Sequence, residues 1–280
     1  MKKFMIMALA IVGLFVQSCK KDKAENNISE TEGLMKVQEI SNSDYTVEVY
    51  TTSGILQLGY NEVYLRLKEK STGDYKQDVN FSWMPVMNMT SMEHACPKSD
   101  ISKVPGKQTL YKGYLVFQMP ENSSEHWQLS VDYSSGSVTG SVSDQISVHT
   151  TALKNVTVFT GADSKTYVLA LVQPQKPVVA INDLTLALFS MESMMMFPIV
   201  ANYTIELDPR MPDMGNHSSP NNENPVFSAA DNFYHGKLSL TMTGNWKLNL
   251  IVKNANGDTL KGEPVSGTTD SSLYLEVEAQ

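Results

Sequence analysis

Charged side chains are scarce in this chain, 19% of its 280 residues, and the formal net charge is -8. No cluster of Lys and Arg lies on an aromatic-bearing strand, so the positive footprint that nucleic-acid binding requires is missing, and nucleic acid is excluded as a partner. Cysteine is scarcer still, with Cys19 and Cys96 alone. The catalytic signatures are missing too: there is no His-Glu-x-x-His, no nucleophile elbow and no three-His cluster to hold a catalytic zinc. The acids are scattered, and spacing alone places no pair of them on one site. A protein that is not an enzyme is expected. Helical periodicity with caps is also lacking after the first residues.

What the chain does have is a statement made twice. Met84-Pro85-Val86-Met87 and Met211-Pro212-Asp213-Met214 each precede a His, then a Tyr-x-Gly strand, then a Met, then a Trp. The match extends outward. Asn61-Glu62-Val63-Tyr64-Leu65 parallels Asn182-Asp183-Leu184-Thr185-Leu186, Tyr111-Lys112-Gly113 parallels Tyr234-His235-Gly236, and Trp127-Gln128-Leu129 parallels Trp246-Lys247-Leu248. Self-similarity at this period indicates a duplicated module, each copy on the order of 110 to 125 residues, the size of one compact domain.

The first residues read as a targeting segment. Lys2 and Lys3 precede an apolar stretch, 4–16, that is short for a membrane span, and Gln17-Ser18-Cys19 follows. This resembles a bacterial lipoprotein signal. The resemblance implies cleavage before Cys19, acylation of that residue, and stable anchoring in a membrane, since several chains on one residue hold where one does not. The residue after Cys19 is not Asp, which by the same resemblance suits an outer-membrane destination. The polar run that follows has no apolar periodicity and reads as a flexible tether. Lipidation of Cys19 leaves Cys96 without a partner in the chain: a small buried hydrophobe by default, or a ligand beside His94.

The remainder reads as strand after strand: 46–50, 62–67, 114–118 and 128–131 in the first copy, then 156–159, 167–172, 184–189, 203–207, 237–241 and 247–252 in the second. Short strands at this spacing are the signature of a β-sandwich, and about seven per copy suits an immunoglobulin-like one. The expected fold is therefore all-β, with two tandem immunoglobulin-like β-sandwich domains. The boundaries are 1–18 for the signal peptide, 19–33 for the tether, 34–152 for the first domain and 153–280 for the second. Residues 134–144 read either as a loop within the first copy or as a spacer. The turn at 254–258 lacks the late bidentate acid of a calcium loop and reads as a hairpin.

The candidate chemistry lies in the two Met loops. The first holds Met84, Met87, Met89, Met92, His94 and Cys96, and the second holds Met211, Met214 and His217. Thioether, thiolate and imidazole are the donors that select soft Cu(I) and, less well, Zn(II), whereas hard cations take oxygen. In extended chain Met92, His94 and Cys96 share one side, with Met87 and Met89 on the other. The competing reading is that Met fills irregular cores, as Trp83 beside Met84 suggests. Met119 and Met242 are expected in cores of that kind. Met191, Met194, Met195 and Met196 have no adjacent His and are expected as a hydrophobic patch or loop plug. His126 and His149 are expected as surface or hydrogen-bond-satisfied histidines. His235 stands where the first copy has Lys112, so no shared metal role rests on it.

Taken together, the Asn-x-(Val/Leu)-x-Leu strand, the Met-Pro-x-Met loop with its His, the Tyr-x-Gly-x-Leu strand ending in Met and the Trp-x-Leu resemble the YtkA-like domain family, whose relatives include FixH-like proteins. The family's loop runs approximately Pro-x-Met-Pro-x-Met-x-His. Residues 209–217 follow it with one extra residue before the His, and the first copy carries a longer insertion with added Met and Cys. The resemblance implies immunoglobulin-like sandwiches in bacterial envelope proteins, some of them concerned with copper handling or heavy-metal efflux.

Two functions stay open at this point. One is a lipid-anchored binder of Cu(I) that passes the ion to an efflux or assembly partner in the envelope. The other is a structural or adhesive sandwich that recognises protein or glycan and uses its Met residues as core.

Overall fold

The computed structural model describes residues 29–280. The expected signal peptide, Cys19 and most of the expected tether lie outside these residues. The end of the tether is docked: the Glu30 carboxylate accepts the backbone N–H of Gln108 and Thr109, at 3.0 and 2.8 Å, together with the Thr109 hydroxyl at 3.1 Å. Among the described residues no helix is long and apolar enough to cross a membrane.

The chain is all-β, its sheets packed in layers as in a β-sandwich. Alternation decides which face of each strand is buried. In Gly59–Glu69 the odd positions Val63, Leu65 and Leu67 are fully buried, while their even neighbours reach the other face. A first five-stranded sheet runs Met35–Ser41, Tyr45–Thr51, Gly59–Glu69, Tyr111–Phe117 and Ser102–Lys103. It faces a four-stranded sheet of Val138–Ile146, His126–Ser135, Asn80–Asn88 and Glu93–Ala95, and a core around Trp83, Phe117 and Trp127 fills the space between them. Residues 134–144 are neither spacer nor open loop. They are a hairpin, in which Ser135 pairs with Val138 around Gly136 at φ 59°, the left-handed conformation a two-residue turn requires.

In the second half Val156–Thr160, Thr166–Gln173, Ile181–Met191, Phe233–Ser239 and Glu223–Ser228 form one sheet. Opposite lie His217–Ser218, Thr204–Met211, Gly244–Lys253 and Thr259–Lys261, with Tyr274–Ala279 also on Gly244–Lys253. A core around Tyr167, Tyr234 and Trp246 lies between these two sheets.

Three hydrogen-bond arrangements recur in both halves. The Asn61 amide bonds Gln57 and Gly59 carbonyls and accepts the Gln57 N–H, and Asn182 does the same with Val178 and Ala180. The Trp127 indole N–H donates to the Met119 carbonyl, and that of Trp246 to Met242, both at 3.0 Å. Tyr111 and Tyr234 each place a buried hydroxyl on a loop carbonyl, Gln77 and Val200 respectively. These bonds satisfy backbone groups that strand ends would otherwise bury unpaired, which is why the sequence repeats Asn, Trp and Tyr at these places.

The five-stranded sheets of the two halves also pack against one another through their outer faces. Val116, Val168, Ala170, Val172, Ala187, Phe189 and Phe233 form a third buried cluster, with Tyr60, Tyr114 and Phe197 at its margin. Having both faces covered explains the unbroken apolar run Tyr167-Val168-Leu169-Ala170-Leu171-Val172, all of it buried.

Candidate metal centre

One edge of this seam gathers sulfur. The hairpin of Asn80–Asn88 and Glu93–Ala95 turns through residues 89–92, closed by the Met89 N–H on the Met92 carbonyl at 3.0 Å. Facing it is the extension of the Ile181–Met191 strand, which reverses in a tight turn where Ser193 pairs with Met196. The two are joined by the Ala95 N–H, which donates to the Met194 carbonyl at 2.8 Å. Between them lies a pocket of about 390 Å³, lined by Met89, Met92, His94, Gln118 and Met119 from the first half and Val158, Thr166, Val168, Met191, Met194 and Phe197 from the second.

His94 is the polar centre of the pocket. It is 9% exposed, with its ring 5.6 Å from that of Phe197. Burial lowers its pKa below the ordinary imidazole value, so the ring is neutral at neutral pH and carries a free nitrogen lone pair. Five buried side-chain N or O atoms have no hydrogen-bond partner among the described residues, and three of them line this pocket: His94 Nδ1 and both amide atoms of Gln118. A buried polar atom without a partner costs about 1–3 kcal/mol, so these three atoms call for a water or a bound group to meet them. Five thioethers around a neutral imidazole fit a soft ion. Among the described residues no group of three or more His, Cys, Asp and Glu gathers as a cage for a hard one.

The remaining residues expected as ligands are dispersed. Met87 and Cys96 belong to the core of the first half, and burial pushes the Cys96 thiol pKa far up, away from the thiolate that binds metal. Met84 lies on the outward side of the same strand, across the sheet from Met87. Met211 is 6% exposed and packed in the second core, whereas Met214, in the 3-10 turn Pro212–Met214, is 56% exposed. His217 is exposed. The second Met loop therefore does not converge, because its strand ends with Met211 inside and the turn throws the following residues outward. Of the expected set, Met89, Met92 and His94 come together.

The structural repeat also differs from the one aligned on Met-Pro-x-Met. Pro85 pairs with Leu129 and Pro209 with Leu248, so the equivalent prolines are Pro85 and Pro209. Met87 lies opposite Trp127, and Arg210 opposite Lys247, which puts Met211 beside Trp246. The shared element is Pro-x-Met, its Met a core residue against the repeat's Trp.

Met119, expected as a core residue, does pack on the first core while also lining the pocket. Sequence reasoning missed the place of Met191 and Met194 in this pocket, whose signal was the Met density at 191–196, discounted for want of an adjacent His. That His comes from the other half of the chain. The other histidines play no part: His235 is held by Asp231 at 2.9 Å, and His126 and His149 lie away from the pocket.

No protein-family model matches this chain, and no curated protein sequence matches it significantly.

Proposed function

We propose that this is a non-catalytic, lipid-anchored protein of the bacterial cell envelope, with an outer-membrane destination, in which two tandem immunoglobulin-like domains of YtkA-like type bind Cu(I) for copper handling or efflux. The observation that carries the reading is the convergence of Met89, Met92 and His94 on an apolar pocket in which the imidazole nitrogen lacks a partner. Neutral imidazole and thioethers supply soft, uncharged donors that match Cu(I), and an apolar wall limits access by water. Anchoring through Cys19 would keep the carrier beside a membrane-borne efflux or assembly partner. The alternative, a structural or adhesive sandwich, draws support from Met87, Met211 and Cys96 being core residues.

An anaerobic Cu(I) titration of the full chain against a competing chelator tests the reading. Stoichiometric binding that is lost in Met89→Leu/Met92→Leu/His94→Ala is the expected result. Failure to compete with the chelator at all would overturn the metal reading and leave the adhesive one.

A further inference from the structure

Accepting that soft-metal reading, the pocket's lining can be divided by what each thioether already does. Met89 and Met119 pack on the core of the first half. Met92, Met191 and Met194 line the pocket yet belong to none of the three packed clusters. Met92 and Met194 are exposed and Met191 is half-buried, so none of the three sulfurs is enclosed in a packed core where it stands. Met92 is 47% and Met194 42% exposed, which sets both at the mouth, with His94 buried behind them.

The arrangement is also held from both sides. The Ala95 N–H on the Met194 carbonyl fixes the 193–196 turn one residue from His94, and Phe197 closes on the His94 ring from the same segment. The segment that follows Ile181–Met191 has no equivalent in the first half. There Gly59–Glu69 ends in a short turn that the Gly73 N–H closes on the Glu69 carbonyl at 2.8 Å. An extra segment that carries thioethers to the one buried imidazole of the opposite half has the form of a ligand arm.

We propose that the Cu(I) centre is shared between the two halves of the chain, with His94 and Met92 as ligands from the first and Met191 and Met194 from the second, so that bound metal pins the 191–197 segment to the 89–94 hairpin. One imidazole and three thioethers make a neutral four-donor set, which a monovalent soft ion accepts and a divalent hard ion does not. Because ligands come from two units, binding and the alignment of those units are linked, and each strengthens the other.

The test compares the full chain with Met191→Leu/Met194→Leu in the same anaerobic chelator competition. Leucine keeps the apolar volume, so the fold is retained, and thermal unfolding of the metal-free chains checks this. X-ray absorption on the Cu(I)-loaded proteins counts sulfur and nitrogen neighbours. The expected result is about tenfold or greater loss of affinity in the double variant, fewer sulfur neighbours, and hydrogen-exchange protection of both 89–94 and 191–197 on adding Cu(I) to the native chain. Native affinity and an unchanged sulfur count in the variant would overturn the shared centre while leaving Cu(I) binding by the first half intact. No binding by the native chain would overturn the functional reading beneath it.

Discussion

The imidazole of His94 and the ring of Phe197 lie 5.6 Å apart at an interplanar angle of 60°, one from each half of the chain, and together they form the inner wall of the Met-lined pocket. Phe197 packs beside this imidazole, whose buried Nδ1 has no hydrogen-bond partner among the described residues. Phe197→Ala is expected to let water reach that nitrogen, move the His94 pKa back up toward the ordinary imidazole value, and cost about 1–3 kcal/mol through lost aromatic burial at the seam. Proton NMR titration of the metal-free chain and chemical denaturation read the two effects separately.

Met87 and Met211 are packing residues of the two cores, each beside a repeat tryptophan. Met211→Ala and Met87→Ala are each expected to destabilise by about 2–5 kcal/mol, with Cu(I) affinity unchanged in whatever fraction remains folded. Urea unfolding alongside the chelator competition checks both halves of the statement. Loss of Cu(I) binding from a fully folded Met211 variant would contradict it.

Gly113 and Gly236 hold the third place of the Tyr-x-Gly strands because an edge segment crosses directly over them. A Cβ on Gly113 would lie 2.7 Å from the Trp83 ring and 2.9 Å from the Asp100 carbonyl oxygen, and one on Gly236 would lie 2.5 Å from the Glu223 carbonyl oxygen. Backbone cannot yield as a flexible side chain does. Gly236→Ala and Gly113→Ala are each expected to cost about 1–3 kcal/mol and to loosen the short edge strands, Glu223–Ser228 and Ser102–Lys103. Thermal unfolding and hydrogen exchange report these changes.

Glu48 is a buried carboxylate held by Lys36 at 2.7 Å, the Tyr50 hydroxyl at 2.5 Å and the Tyr75 hydroxyl at 3.1 Å. Burial alone would raise its pKa, but the hydrogen bonds from Lys36, Tyr50 and Tyr75 outweigh that and hold it below the ordinary glutamate value. A lowered folded pKa means that the contribution to stability is complete above about pH 4.5 and is lost as pH falls through the folded value. Glu48→Gln is expected to lower stability above about pH 4.5, to flatten the acid limb below it, and to change the alkaline limb as well, because Glu48 also raises the Lys36 and Tyr50 pKa values, as urea midpoints across pH would show.

Cys96 is 2% exposed, and its thiol is disfavoured as thiolate. In a Cys19→Ser chain a thiol reagent should label nothing under native conditions and one equivalent in denaturant. Rapid native labelling would place Cys96 at the surface and reopen it as a ligand.

The strands were legible because their signal is local: β-branched and aromatic residues alternate with a period of two, and Gly, Asn and Asp mark the turns. The repeat was legible through Asn61/Asn182, Tyr111/Tyr234 and Trp127/Trp246, each of which serves the same backbone hydrogen bond in both halves. The Met-Pro-x-Met match misled by three residues in register, since Met84 and Met214 face solvent and carry no structural constraint, whereas Pro85 and Pro209 occupy the same place opposite Leu129 and Leu248. Met content pointed to soft-donor chemistry, but the density at 191–196 could not be joined to a histidine by any local rule.

The sequence by itself determined the all-β content, the duplicated pattern and the supply of thioethers and imidazoles, all properties of residue type and short-range spacing. Only the tertiary structure decided which donors meet. Packing of the two inner sheets through Val116, Phe189 and Phe233 brings His94 against Met191 and Met194, and removes Met87, Cys96 and Met211 into cores. A strand's side-chain direction depends on its register with its neighbours, and the partner across a seam depends on which outer faces are apolar enough to bury.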